Sequence, residues 1–223
     1  GLGIAVHDGV GAEAIEPGVG HDTVVLADGT RIEADLIVLS VGVRPDTEVF
    51  GAAGITLERG AIVVDDHGRT SAPQVWAVGD AVLSTCAVTG IRRPFALAGP
   101  ANRAGRLIAD DIFTPEIARP MPRPLGTAIV RIGELTAAST GVNKATLQAA
   151  GIAHHTLHLH PNQHAGYFPG AAQMHLIVHF REGDGALLGA QAVGPDGVDK
   201  RIDVLATALR AGMAIDDLID LDL

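Results

Sequence analysis

The run Val75-Trp76-Ala77-Val78-Gly79-Asp80 constrains this chain more than any other stretch, being apolar for four residues and then ending in a glycine and a carboxylate. An unbroken apolar run of this length predicts a strand buried on both faces. Gly79 carries no Cβ, so backbone or ligand can approach it closely. Asp80 sets a carboxylate where the strand gives out, and open α/β sheets bind ligands in the crevice beyond the carboxyl ends of their strands. Upstream, Ala61-Ile62-Val63-Val64-Asp65 predicts a short strand, and Thr70-Ser71-Ala72-Pro73 an approach to the run. Downstream, Pro100 suits the first turn of a helix. Ala104, Leu107, Ile108, Asp111 and Ile112 then repeat at about 3.6 residues. Such a helix start offers free N–H groups and partial positive charge to an electron-rich ligand edge. Taken alone, a Gly-Asp pair is equally an ordinary turn after a core strand, and Pro100 the start of a surface helix.

The residues before this run read as small β units. Thr23-Val24-Val25-Leu26 and Arg31-Ile32 flank Ala27-Asp28-Gly29, a hairpin signal because Asp-Gly accepts positive φ. Ala34-Asp35-Leu36-Ile37-Val38-Leu39 is a second run, apolar but for Asp35, and predicts another strand buried on both faces. It leads into Ser40-Val41-Gly42-Val43-Arg44-Pro45-Asp46-Thr47, where Asp46 is a good helix cap. The chain opens without Met inside what reads as a strand, Gly1 to Val6, and stops abruptly at Leu223, so it is expected to be a piece of a longer protein.

Beyond the helix, Arg119-Pro120-Met121-Pro122-Arg123-Pro124 reads as a Pro-rich linker. The remainder predicts an α+β unit. Its strands are expected at Thr127–Ile132, Leu135–Ser139, His154–His160, Met174–Phe180 and Leu187–Val193, with a short helix from Asn143 to Ala150. Asp199 to Met213 is amphipathic, with Ile202, Leu205, Ala206, Leu209 and Met213 on one face. That face, and a sheet too small to cover itself, predict a symmetric dimer through Met174–Val193 and this helix. Seven of the ten histidines lie between His154 and His179. A metal site is not expected from them: His154, His158 and His160 share a strand face but diverge, and His175 and His179 sit four apart in a strand.

Composition narrows the function. A net charge of −10 and no basic stripe argue against nucleic acid. No apolar run reaches membrane-spanning length. A single cysteine excludes an internal disulfide and suits a reducing, cytoplasmic setting. Aromatics make up 3% of the 223 residues, so the core must rest on Val, Leu, Ile and Ala.

The stretch from Ala61 to Arg103 resembles the second FAD-binding segment of the pyridine-nucleotide disulfide oxidoreductases. The resemblance implies that Asp80 holds the ribitol hydroxyls of FAD, with Gly79 beside it in the cofactor site. It also implies that Ala98, Pro100 and Ala101 face the pyrimidine side of the flavin. Ser40 to Thr47 resembles the family's crossover, a glycine followed by Arg-Pro-Asn, with Asp46 where Asn is usual. His164-Ala165-Gly166-Tyr167-Phe168-Pro169-Gly170-Ala171 resembles the HAxYYPGA loop of the coenzyme A-disulfide reductase and NADH oxidase-like branch. There the loop belongs to the dimerisation domain and reaches the partner subunit's flavin. His164 is thereby implied to touch FAD, and Asn102, Tyr167 and Phe168 to meet a small thiol or disulfide such as a coenzyme A derivative. Phe168 stands where relatives carry a second tyrosine, whose hydroxyl it lacks. The resemblance continues through Leu188–Gly194 and Gly197–Ala206.

The fold implied is α/β followed by α+β: the end of an NAD(P)H-binding domain at 1–39, the C-terminal part of an FAD-binding domain at 40–118, and a dimerisation domain at 119–223. The parent enzyme would pass electrons from NADH or NADPH through FAD to a disulfide or persulfide, as a homodimer. This chain holds no G-x-G-x-x-G, and its only thiol, Cys86, lies after the Gly-Asp pair, whereas the family's redox cysteine stands near the N-terminus. No catalytic residue is therefore assigned here, and the chain alone is expected to be inactive. Two other readings are a non-catalytic dimerisation or binding module, and an NADH oxidase or peroxidase of the same superfamily.

Overall fold

A computed structural model describes residues 3–222; Gly1 and Leu2, at the head of the expected opening strand, and Leu223 lie outside the described residues. Two compact units divide between Val43 and Arg44.

The first unit is a three-stranded antiparallel meander of β1 (Ala12–Glu16), β2 (Asp22–Leu26) and β3 (Arg31–Ala34). The turn from β2 to β3 is the expected Asp-Gly hairpin, with Asp28 Oδ1 accepting from Thr30 N at 2.9 Å. Two expectations fail. Residues 4–10 form no strand. β3 stops at Ala34, and the run beyond it is irregular and open, with Leu36 81%, Val38 76% and Leu39 71% exposed. A strand buried on both faces needs a neighbour at each edge and cover above and below, and no described residue pairs with this run.

The second unit begins with α1 (Glu48–Ala52), followed by two short ladders, β4 (Leu57–Glu58) with β5 (Ala61–Ile62), and β6 (Ser84–Thr85) with β7 (Arg92–Arg93). Thr47, not Asp46, occupies the cap position of α1, and its hydroxyl turns away to donate to Gly60 O at 2.8 Å. The expected strand at 61–65 is only two residues long. The run at 75–80 is not a strand either: Trp76 makes a single bridge to Arg69, and Val75 and Val78 are 38% and 40% exposed. The reason is again a missing flank, since the run is paired on one side only.

α2 spans Ala98–Phe113 and starts two residues before Pro100. After it the chain is irregular to residue 127 and then enters a five-stranded antiparallel sheet. Its strands are β8 (Ala128–Ile132), β9 (Leu135–Gly141), β10 (His154–Leu159), β11 (His175–Arg181) and β12 (Leu187–Gly194), in the order β10-β11-β12-β9-β8. α3 (Lys144–Ala149) is capped by the Asn143 side chain, which accepts from Thr146 N. α4 (Val198–Ala211) precedes a 3₁₀ turn at Asp216–Leu218.

One core packs α4 on the sheet through Val198, Ile202, Leu205 and Ala208 against Leu176, Val178, Ala190 and Ala192. A second joins Leu147 of α3 and Leu188 to Cys86 and Phe95 around the β6–β7 ladder. The apolar face of α4 is thus packed on its own sheet, with Leu209 and Met213 only partly covered. Apolar side chains are left open at both sheet edges: Ile129, Val130 and Ile132 of β8 are 55%, 53% and 60% exposed, and Leu157 and Leu159 of β10 are 40% and 42%.

Candidate functional site

α2 opens without a capping side chain. Leu97 holds the cap position in extended backbone, and no acidic residue occupies the first turn. Ala101 N donates to Leu97 O at 3.2 Å, and Pro100 has no N–H. The orphan donors of this helix end are therefore those of Ala98 and Gly99.

Gly79 faces that turn. Its φ of +87° suits glycine, and a Cβ built on it would stand 4.0 Å from the Ala101 Cβ. Asp80 follows it, solvent-exposed, and its carboxylate accepts no hydrogen bond among the described residues. Gly79, Gly99, Pro100 and Ala101 line one wall of a cavity of about 710 Å³. Leu83, Phe95 and Leu125 supply apolar surface, and α4 contributes Asp203, Ala206, Thr207 and Arg210. Arg103 and Arg123 also border it. The Pro-rich stretch reads in sequence as a linker, yet Met121 to Gly126 build this wall, tied down by Met121 N to Asp66 O at 2.7 Å and by Arg210 Nη2 to Arg123 O at 2.9 Å.

Of the residues singled out in the sequence, Gly79, Pro100 and Ala101 line the cavity. Asp80, Ala98 and Asn102 lie within two residues of those three in sequence but are not part of its lining. His164, Tyr167 and Phe168 do not join them. They lie in a surface loop between β10 and β11, held by the Gln163 side chain, which donates to Gly170 O and accepts from Ala172 N. Tyr167 is 92% and Phe168 51% exposed, and the Phe168 ring rests on that of His164 at 4.7 Å. The loop's neck is closed by His160 and His175, whose Nδ1 atoms are 2.8 Å apart. Among the described residues no three of His, Cys, Asp or Glu converge to hold a metal. No described helix is long and apolar enough to cross a membrane. Cys86 is fully buried.

Two polar constructions escaped the sequence reading. The first is Asp111, on the buried face of α2, which receives Arg69 and the Trp76 indole. The Arg69 guanidinium, and next the Trp76 N–H, hold this carboxyl below the ordinary range. A charged residue among apolar helix positions is the one sequence signal that marks it. The second is His179, 1% exposed, bonded to Thr156 and Gln191. Burial first of all pushes its imidazole below the ordinary value, against the Gln191 hydrogen bond.

Comparison with known proteins matches two family models. The pyridine nucleotide-disulphide oxidoreductase model covers residues 1–105, and the dimerisation domain of the same family covers residues 127–222. A coenzyme A disulfide reductase of Staphylococcus haemolyticus is 32% identical over 89% of this chain and 45% of its own length. A NAD-dependent persulfide reductase from A. fulgidus superposes with a TM-score of 0.90 at 37% identity, over 96% of this chain and 39% of that one. Reduced CoADR-RHD of Bacillus anthracis gives a TM-score of 0.90 at 38% identity, over 96% of this chain and 38% of that one. The chain spans less than half the length of each.

Proposed function

Since the chain belongs to the pyridine nucleotide-disulphide oxidoreductase family, we propose that it supplies the ribitol and pyrimidine contacts of an FAD site, together with the dimerisation domain, of a reductase acting on small disulfides or persulfides. The division at 1–39, 40–118 and 119–223 is part of this proposal, as are the homodimer and a cytoplasmic setting. The observation that carries it is the meeting of Gly79-Asp80 with the uncapped start of α2 at the edge of the 710 Å³ cavity.

The residues present fit the cofactor. A carboxylate free of internal partners can accept hydroxyl protons, and charge-assisted bonds of that kind are the strong ones. Gly79 leaves room for a sugar chain to pass against backbone. The Ala98 and Gly99 N–H groups and the positive end of α2 suit an electron-rich ring edge, most of all once it carries negative charge. The apolar wall of Leu83, Phe95 and Leu125 keeps water from one side of the cavity.

When bound, FAD would accept a hydride from NAD(P)H and deliver the electron pair to a disulfide. Proteins of this chemistry exchange disulfides through a thiolate. Cys86 is sealed in the core between Phe95 and Leu147 and does not serve, so the exchanging thiol is assigned to sequence outside this chain. His164, Tyr167 and Phe168, open on their loop, are assigned to the partner subunit's site, where an exposed aromatic pair can meet a substrate sulfur. The relatives named for coenzyme A disulfide and for persulfide support that substrate class.

The test is Asp80→Ala in the full-length protein. It should emerge from purification with markedly less flavin per subunit than the parent. Undiminished flavin content would refute the anchor.

A further inference from the structure

Asp111 lies ten residues beyond Ala101 on α2, about 15 Å along the axis at 1.5 Å per residue, and so touches nothing held at the helix start. Its residue is 4% exposed. Oδ1 accepts from Arg69 Nη2 at 2.7 Å, and Oδ2 from Arg69 Nε and Trp76 Nε1, each at 2.8 Å. The Nδ1 of His67 stands 3.1 Å from Oδ1. Every one of these partners comes from the stretch that leads into Gly79-Asp80.

That stretch is tied to itself as well. Asp65 Oδ1 accepts from the N–H groups of His67 and Arg69, Thr70 N donates to Val75 O, and Ala77 N donates to Gly68 O at 2.9 Å. Gly68 lies flat on α2: with a φ of +77°, a Cβ there would meet Ile108 Cδ1 at 2.5 Å. A stiff path therefore runs from Asp111 through Arg69 and Trp76 to Ala77, two residues short of Gly79. Among the described residues no other α2 side chain hydrogen-bonds to residues 65–80. Apolar packing alone would hold this stretch against the helix but leave it free to slide, because such packing is non-directional. A bidentate guanidinium–carboxylate pair fixes both angle and position.

The geometry assigns Asp111 as a positioning residue: from the far half of α2 it sets where Gly79 and Asp80 stand relative to the first turn of the same helix, and so preorganises the FAD cradle. This rests on the flavin reading given above. It differs from it in naming the residue that keeps the two halves of the cradle at their spacing.

The experiment is a double-mutant cycle on FAD affinity, measured by reconstituting the full-length apoprotein with FAD. Asp111→Asn keeps the size but removes the charge and one acceptor, and should raise the FAD dissociation constant about tenfold, the scale of one charge-assisted hydrogen bond. In an Asp80→Asn background the same change should have little further effect, because the group being positioned is already impaired. Trp76→Phe keeps the ring and deletes one donor; it carries the same cycle should Asp111→Asn fail to fold. An unchanged FAD dissociation constant would overturn the assignment. So would an equal loss in both backgrounds, which marks general destabilisation. If Asp80→Asn alone leaves FAD affinity untouched, the anchor reading itself has failed, and the positioning role falls with it.

Discussion

Acid should loosen the dimerisation domain through His179. The Gln191 amide is oriented by its Nε2, which donates to Val142 O at 3.4 Å, so its Oε1 faces the imidazole and Nε2 of His179 must donate to it at 3.0 Å. Nδ1 is left to accept from the Thr156 hydroxyl at 2.9 Å. Both ring nitrogens are thus satisfied in the neutral form, inside a site with 1% exposure. Burial, and then the neighbouring His154, His158 and Lys144, lower the folded-state pKa. In the unfolded chain the ring takes its proton near the ordinary value of about 6.5. Below that pH the unfolded state binds one proton more than the folded state. Stability is therefore fully present above about pH 6.5 and falls as pH drops toward the folded value, by about 1.4 kcal/mol per pH unit. Between pH 7.5 and 5.5 the contribution of this residue is at most about 1.4 kcal/mol, a tenfold change in the unfolding equilibrium, reached when the folded ring stays neutral at pH 5.5. Urea unfolding followed by circular dichroism at the two pH values measures it. His179→Gln will be less stable at both, having lost fitted hydrogen bonds, but its drop between pH 7.5 and 5.5 should be smaller than the parent's, by up to that amount. Equal drops in the two proteins would refute the reasoning, and would place the acid sensitivity among the exposed histidines.

Leu147→Ala should destabilise the chain by about 2–5 kcal/mol, since Leu147 is 0% exposed between Cys86, Phe95, Val142 and Leu188 and the site has little room to collapse; a urea midpoint within error of the parent's would contradict this. Phe168→Tyr in the full-length protein should raise kcat/KM on coenzyme A disulfide about ten- to hundredfold, the worth of one transition-state hydrogen bond of roughly 1–3 kcal/mol. Equal kcat/KM for the two would leave Phe168 as a packing residue against His164.

The parts legible in sequence were those whose partners lie nearby. The strands of the five-stranded sheet, the short helix α3 and α4 with Ile202 and Leu205 inward all follow from local periodicity. The Asp111 clamp did not, because its donors lie 42 and 35 residues away. On the helix an aspartate at that spacing reads as an interruption of the apolar face, and nothing local distinguishes a frayed edge from a buried anchor. Arg123 and Arg210 border the cavity only because the Pro-rich stretch folds back over α4, which its composition did not signal.

The two failures at Ala34–Leu39 and Val75–Asp80 have a different cause. An all-apolar run is a statement about both of its flanks: it predicts burial on each face and a hydrogen-bonded neighbour at each edge. Val75 to Ala77 has one such neighbour, the stretch around Gly68 and Arg69, and the run lies half open on its other side. Leu36 to Leu39 has none and is left exposed. Their sequences are unsuited to that exposure, which leaves apolar surface and unpaired backbone in water. Both runs therefore carry the imprint of strands that the described residues do not supply. That agrees with a chain spanning 45% of a relative's length, and it follows that the full-length protein should protect the amides of both runs from hydrogen exchange where this chain alone leaves them open.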